Sequence, residues 1–319
     1  MIQTVLGSVP VDQIKFCHSH EHLFLAEGQP AKINPALRID NYQLTIEELK
    51  SFKKVGGTTV VDCQPIGSGR MEQHLVDASK DTGVQIIAST GFHKLSFYPG
   101  SHWIHTYSQS QLEDIFTHEL TRGMFVKTDN KKPSKFIPHL AGTIKTAIDE
   151  EREKDSEKKW FYAAAKASKK TGTPIICHTE SSKQGEILSE FYIDCGVNPE
   201  QIIICHLDRH LGNLEAHKKI ADKGVFIEYD TIGRFKYHSD SEEASIIIQM
   251  LEWGLEDSIL LGLDTTRQRL KSYGGSIGLD YIKKNFIPTL KKYGVSDRVI
   301  EKMMVHNPRK ALSKNKGEI

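Results

Sequence analysis

The chain has 319 residues, room for two average domains or one α/β barrel, and its 42 basic and 41 acidic side chains leave a formal net charge of +1. A molecule this close to neutral has no overall field to gather nucleic acid or an anionic membrane, so any functional charge must be local. Apolar residues make up 38% of the chain and charged residues 26%, a soluble balance with material for a large core.

The opening stretch MIQTVLGSVPVDQIKF lacks the basic flank and apolar centre of a signal peptide, and no window reaches the ~18 apolar residues of a membrane span; a cytoplasmic protein is expected. The cysteines Cys17, Cys63, Cys177, Cys195 and Cys205 show no C-x-x-C spacing and read as reduced, buried thiols. In chain order, short β-branched runs follow: FCHSHEHLF (16–24), TTVVDCQP (58–65), VQIIASTGF (84–92), AGTIKTA (141–147), PIICHTE (174–180), IIICHLD (202–208), GVFIEYD (224–230) and SILLGLD (258–264). Between most of them lie amphipathic stretches such as TIEELKSFKKVG, MEQHLVDASKDTG, KQGEILSEFYIDCG and SEEASIIIQMLEWG, closed by glycine where a C-cap belongs. Strand, helix, glycine, strand, repeated to eight, predicts parallel βα units closed into a (β/α)8 TIM barrel, an α/β fold with residues 1–319 as a single domain.

LDYIKKNFIPTLKKYG and SDRVIEKMMVHNPRKAL read as closing helices. The exception to the rhythm is the long connection 93–140, whose length predicts a lid or an interface. The charged run DEEREKDSEKK (149–159) reads as a solvated helix start.

In such barrels chemistry sits at the C-terminal strand ends, so polar residues late in each run carry the information. His20 and His22 end the first run, Lys145 lies in the fourth, and His178, His206 and Asp264 end the fifth, sixth and eighth. A lone histidine in such a place is more often a hydrogen-bonded core imidazole. Four on three strands, with an aspartate, form the ligand set of a borderline divalent ion, and the H-x-H spacing offers one ion two nitrogens from one strand. Strict alternation places His18, His20 and His22 inside the barrel, with His18 one layer deeper as a core residue, and turns Cys17, Cys177 and Cys205 outward.

The set HSHEH, AGTIKTA, IICHTE, IICHLDR and LGLDTTR, in this order on these strands, resembles the phosphotriesterase family of the amidohydrolase superfamily, including its lactonase and phosphotriesterase-homology branches, from residue 16 to VHNPRKAL. The resemblance implies two divalent ions per chain, zinc first with manganese or cobalt as substitutes. It makes Lys145 an N6-carboxylysine spanning both ions, gives His20, His22 and Asp264 to the more buried ion, and gives His178 and His206 to the more exposed one. A water shared by two ions becomes a hydroxide nucleophile near neutral pH, and Asp264 takes its proton and passes it to the leaving oxygen. A homodimer is implied as well.

Substrate choice is expected in the loops DTIGRFKYHSD and DTTRQRLKSYGGSIG, where Lys236, Arg267 and Tyr273 are the selected contacts among several solvated charges. Such a pocket suits a small anionic substrate, and within the family a phosphorylated sugar lactone better than a neutral triester. His93 and Tyr98 lie where lactonase relatives place aromatic groups, although the adjacent tyrosines of those relatives are missing, and Asp208 and Arg209 follow a ligand directly. The alternatives are a phosphoester hydrolase with the same centre and a non-catalytic metal-binding barrel; every ligand position being filled opposes the latter.

Overall fold

The computed structural model describes residues 1–148, 158–209, 211–315 and 317, so the charged run expected to start a helix lies outside the described residues apart from its last two. Eight parallel strands form one sheet in chain order: β1 (Phe16–Glu21), β2 (Gly57–Asp62), β3 (Gln85–Gly91), β4 (Thr143–Ala147), β5 (Ile175–His178), β6 (Ile202–Ile204), β7 (Phe226–Tyr229) and β8 (Ile259–Leu261). Helices α1 (Tyr42–Lys54), α2 (Glu72–Thr82), α3 (Gln109–Thr121), α4 (Lys158–Thr171), α5 (Ser182–Asp194), α6 (Leu214–Ala221) and α7 (Asp240–Glu252) fill the intervals, giving the (β/α)8 barrel that the alternation predicts. Local chemistry sets their ends. Ser239 and Glu242 form a capping box at the start of α7, and α2 ends on Gly83 at φ 65°, a left-handed position that glycine enters without a Cβ penalty.

Alternation divides the core in two. Cys17, Val61, Ile87, Ile176, Ile203, Phe226 and Leu260, one from each strand except β4, pack together inside the barrel over Ile2 and Ile14. Their neighbours Val60, Ile86, Ile144, Ile175, Ile204, Ile227 and Ile259 face the helices. In the C-terminal segment, Pro288 and Pro308 lack the N–H that an α-helix needs, and each follows closely on a π-helical stretch, Ile282–Phe286 and Lys302–His306. Among the described residues no helix is long and apolar enough to cross a membrane.

The 93–140 connection is built rather than loose. It holds α3 and a small hairpin of Met124–Phe125 with Phe136–Ile137. Arg70, reaching from the loop after β2, donates to both oxygens of Glu119 on α3 at 2.9 and 2.6 Å, a buried bidentate pair.

No ladder joins β8 to β1, and closure runs through single contacts: Ser19 Oγ donates to Leu261 O at 2.9 Å and the Asp264 N–H to His20 O at 3.1 Å. Gly262 permits that approach, because a Cβ there would lie 2.9 Å from His20 O and 3.1 Å from His20 N. Gly262→Ala is therefore expected to lose about 1–3 kcal/mol in urea unfolding as the backbone at His20 is pushed aside. Gly100→Ala, where an added Cβ meets nothing within 4 Å, should change little; equal losses at the two sites would refute this account of closure.

Candidate metal centre

Where the backbone leaves regular extension, the alternation rule fails, and the site depends on those places. In β1, the four residues from His18 to Glu21 stand against the three from Val60 to Asp62 of β2, a β-bulge. Cys17 consequently faces the barrel interior, and His18 lies on the helix side, its ring 4.6 Å from that of Phe52 and its Nδ1 2.8 Å from Glu21 Oε1. Both positions correct strict alternation, which puts His18 inside and Cys17 outside. The bulge returns His20 to the interior.

Two residues past β6 the departure is at His206, whose φ of 64° is unusual for a non-glycine residue. The kink lets Cys205 and His206 both point inward, so the expected outward turn of Cys205 is corrected, while Cys177 packs on the helix side as expected. Burial, with Glu228 beside it, holds the Cys205 thiol well above its usual range. Asp264, at φ 47°, is the matching departure after β8. All five cysteines are unpaired.

The expected ligands converge. Lys145 Nζ lies 3.1 Å from His20 Nε2, His22 Nε2 lies 3.4 Å from Asp264 Oδ1, and His206 Nε2 lies 2.7 Å from His178 Nδ1. Two acidic residues that the sequence reading missed orient this set. Asp230 places one oxygen 2.6 Å from His206 Nδ1 and the other 3.2 Å from His20 Nδ1, and Glu228 lies 2.8 Å from the same His20 nitrogen. Alternation along FIEYD puts both acids on the interior face with Phe226, and that was their legible signal. Burial, with the Arg209 charge near both rings, holds His178 and His206 well below the usual imidazole range, so each ring is neutral with one nitrogen free of a proton. For His20 burial acts the same way, but Cys63, Cys205 and Asp230 around it outweigh burial and the Lys145 charge and move it upward.

At the mouth, Asp264 Oδ2 accepts from Arg234 at 2.5 Å and from Arg209 at 3.1 Å. Burial opposes its ionisation, but Arg234 and His206, followed by His22 and Arg209, outweigh burial and hold the carboxyl well below the usual range. Arg209 also donates to Glu180 at 3.0 Å, and Glu180 in turn holds His178 Nε2 at 2.8 Å and pairs with Lys94.

Of the substrate contacts selected from sequence, Lys236 is exposed beside the Tyr237 ring and lines an open cleft of about 310 Å³ with Arg234. Arg267 is exposed over the Tyr273 ring. The Tyr273 hydroxyl is engaged in the scaffold: it donates to Asn41 O at 2.8 Å, accepts from Asn41 N–H at 3.1 Å and lies 2.9 Å from Thr45 Oγ1. His93 packs against His178 and stacks on Phe97, and the Tyr98 hydroxyl accepts from His93 N–H at 2.9 Å, fixing that loop. Asp208 faces away from the centre and accepts from Thr231 N–H at 2.6 Å.

The model of the phosphotriesterase family matches residues 1–312. This chain belongs to the phosphotriesterase family. The family comprises metal-dependent hydrolases of ester bonds, and the chain is an enzyme of that kind. A protein of Mycoplasmopsis synoviae named phospho-furanose lactonase is 31% identical to it, with 98% of this chain and 91% of that one aligned. A crystal structure of a lactonase from Listeria monocytogenes superposes with a TM-score of 0.90 at 26% identity, covering 99% of each chain. That of the phosphotriesterase homology protein from Escherichia coli, described with phosphate in its active site, gives 0.85 at 28% identity over 95% of this chain and 100% of that one.

The donor set of this phosphotriesterase-family barrel fits divalent ions on its own geometry. His20 and His206 both have Nδ1 held by carboxylates, which aims both Nε2 atoms into one space, and the buried Nδ1 of His22 has no partner. Asp230→Asn is expected to lower metal affinity by roughly 10–100-fold, since it loosens His206 and leaves Glu228 as the one carboxylate at His20. Metal titration of the folded variant checks this, and an unchanged affinity would show that Asp230 does not orient the set.

Proposed function

We propose that this protein is a two-metal lactonase that opens a phosphorylated sugar lactone. The observation that carries the reading is a buried donor set capped by two guanidiniums: four imidazoles, Lys145 and Asp264 below, Arg209 and Arg234 at the mouth. His20, His22 and Asp264 would hold the deeper ion and His178 and His206 the outer one, with Lys145, carboxylated on Nζ, serving both. Zinc, manganese or cobalt suits these nitrogen and oxygen donors. When bound, the ions supply Lewis acidity towards the lactone carbonyl and lower the pKa of an attacking water.

The chain's own groups do the rest. Asp264, anionic and at the centre of the mouth, is placed to accept the proton of the attacking water and return it to the ring oxygen as the acyl–oxygen bond breaks. Arg209 and Arg234, flanking Tyr237 at 5.7 and 5.6 Å from its ring, present donors suited to a phosphate, and Lys236 extends that field into the cleft. His93 and Phe97, from the start of the 93–140 connection, wall the side of the mouth next to His178. Neutral triesters and long acyl chains carry no negative charge for these cations to pair with.

Metal-loaded protein is expected to open phosphorylated aldonolactones with a higher kcat/KM than the unphosphorylated rings. Arg209→Ala and Arg234→Ala should each raise KM for the phosphorylated lactone by roughly 10–100-fold, the equivalent of one lost charge-assisted hydrogen bond, and affect the unphosphorylated ring less. Turnover of phosphoesters with no opening of any phosphorylated lactone would overturn the reading and favour a phosphoester hydrolase on the same centre.

A further inference from the structure

Behind β6 and β7, outside the barrel interior, a second polar cluster is sealed from solvent. Asp208 follows His206 by two residues, His238 precedes the cap of α7, and Glu243 lies in the first turn of that helix. One donor atom from each lies within 4.8 Å of the others. Asp208 and Glu243 are fully buried and His238 is 5% exposed.

The cluster is short of partners. Asp208 Oδ2 accepts from Thr231 N–H, but Oδ1 has no hydrogen bond, and neither do Glu243 Oε1 and Oε2. His238 Nε2 is 2.8 Å from Glu243 Oε2 without the geometry of a hydrogen bond, and 3.1 Å from Thr231 Oγ1. Among the described residues, neither carboxylate pairs with a lysine or arginine, so two buried acids share one imidazole. Burial, with Asp208 adding to it, pushes the Glu243 carboxyl up to about 8, as expected of an acid without cationic partners. Unmet buried acceptors of this kind call for an ion, a proton or ordered water.

We propose that Asp208, His238 and Glu243 form a separate structural site for a divalent cation, one imidazole and two carboxylates being donors suited to zinc or manganese. A tetrahedral zinc ion sets its ligand atoms roughly 3.4 Å apart, within reach of the observed spread after small side-chain shifts. Such an ion supplies the charge that the two acids lack. It also ties the loop after β6 to the start of α7, behind His206 and Asp230.

The test is the metal content of the full chain, purified from medium supplemented with Zn²⁺ or Mn²⁺, exchanged into metal-free buffer and read by inductively coupled plasma mass spectrometry. Glu243→Gln and His238→Gln should each carry one equivalent less than the unaltered chain, with far-UV circular dichroism unchanged. In a second arm, the paired change His20→Ala with His178→Ala weakens the centre at the mouth; adding Glu243→Gln should remove a further equivalent. A Glu243→Gln protein that keeps the full metal content, or a second arm in which it removes nothing, overturns the proposal in favour of a shared proton or trapped water.

Discussion

The centre depends on one buried carboxylate that serves two imidazoles. Asp230, one residue past the end of β7 and fully buried, reaches His206 from the adjacent strand and His20 from across the barrel. An imidazole has two nitrogens, and fixing one as donor decides where the other points. With both Nδ1 atoms engaged, both Nε2 atoms are directed towards Lys145, His178 and Asp264. The backbone adds a second constraint on His20, since the tight approach at Gly262 fixes its main chain against β8 and so its distance from Asp264. A side chain held at both ends can keep its place without a ligand, and a divalent ion requires such preorganisation.

Much of this was legible because it is local. Eight β-branched runs separated by helical stretches with glycine ends specify the barrel, since strand period and helix capping are read within a dozen residues. His20, His22, Lys145, His178, His206 and Asp264 stand out as polar residues in or just beyond apolar runs, and the structure brings all six together. Their facing was less legible. Alternation holds only for an extended backbone, and both a bulge and a left-handed residue shift the phase by one. The bulge in β1 exchanges the faces of Cys17 and His18, and the left-handed turn at His206 lets two consecutive side chains enter the barrel. Neither has a composition signal, because the residues involved are not glycines.

The loops were harder still, for a different reason. Tyr273 has the chemistry of a substrate contact, but its partners Asn41 and Thr45 lie more than 200 positions earlier, and only the closed barrel brings them alongside. Arg269 is likewise a scaffold residue, donating to Ile232 O and Asp264 O and so joining the loops after β7 and β8. The guanidiniums that reach Asp264 are those of Arg209 and Arg234, and no feature of spacing separates them from their neighbours. Selecting one cation among several in a loop requires the fold, since the selection is made by distance.

The near-equality of acidic and basic residues conceals this local arrangement. Among the described residues most of those charges are exposed, where a pair 4 Å apart interacts by about 1 kcal/mol in water and is screened by salt. Arg209, Arg234 and Asp264 have side chains only 8%, 14% and 9% exposed, and at an effective dielectric of 20 the same separation is worth about 4 kcal/mol. Lys94, Arg209 and Arg234 share two acidic partners here, Glu180 and Asp264. Positive charge therefore exceeds negative at the mouth of the centre by about one unit before any ion is bound, with Lys236 further out adding to it. On the proposed function, a near-neutral chain selects an anionic substrate in this way, by withdrawing a few charges from water at the place where strand-end loops meet.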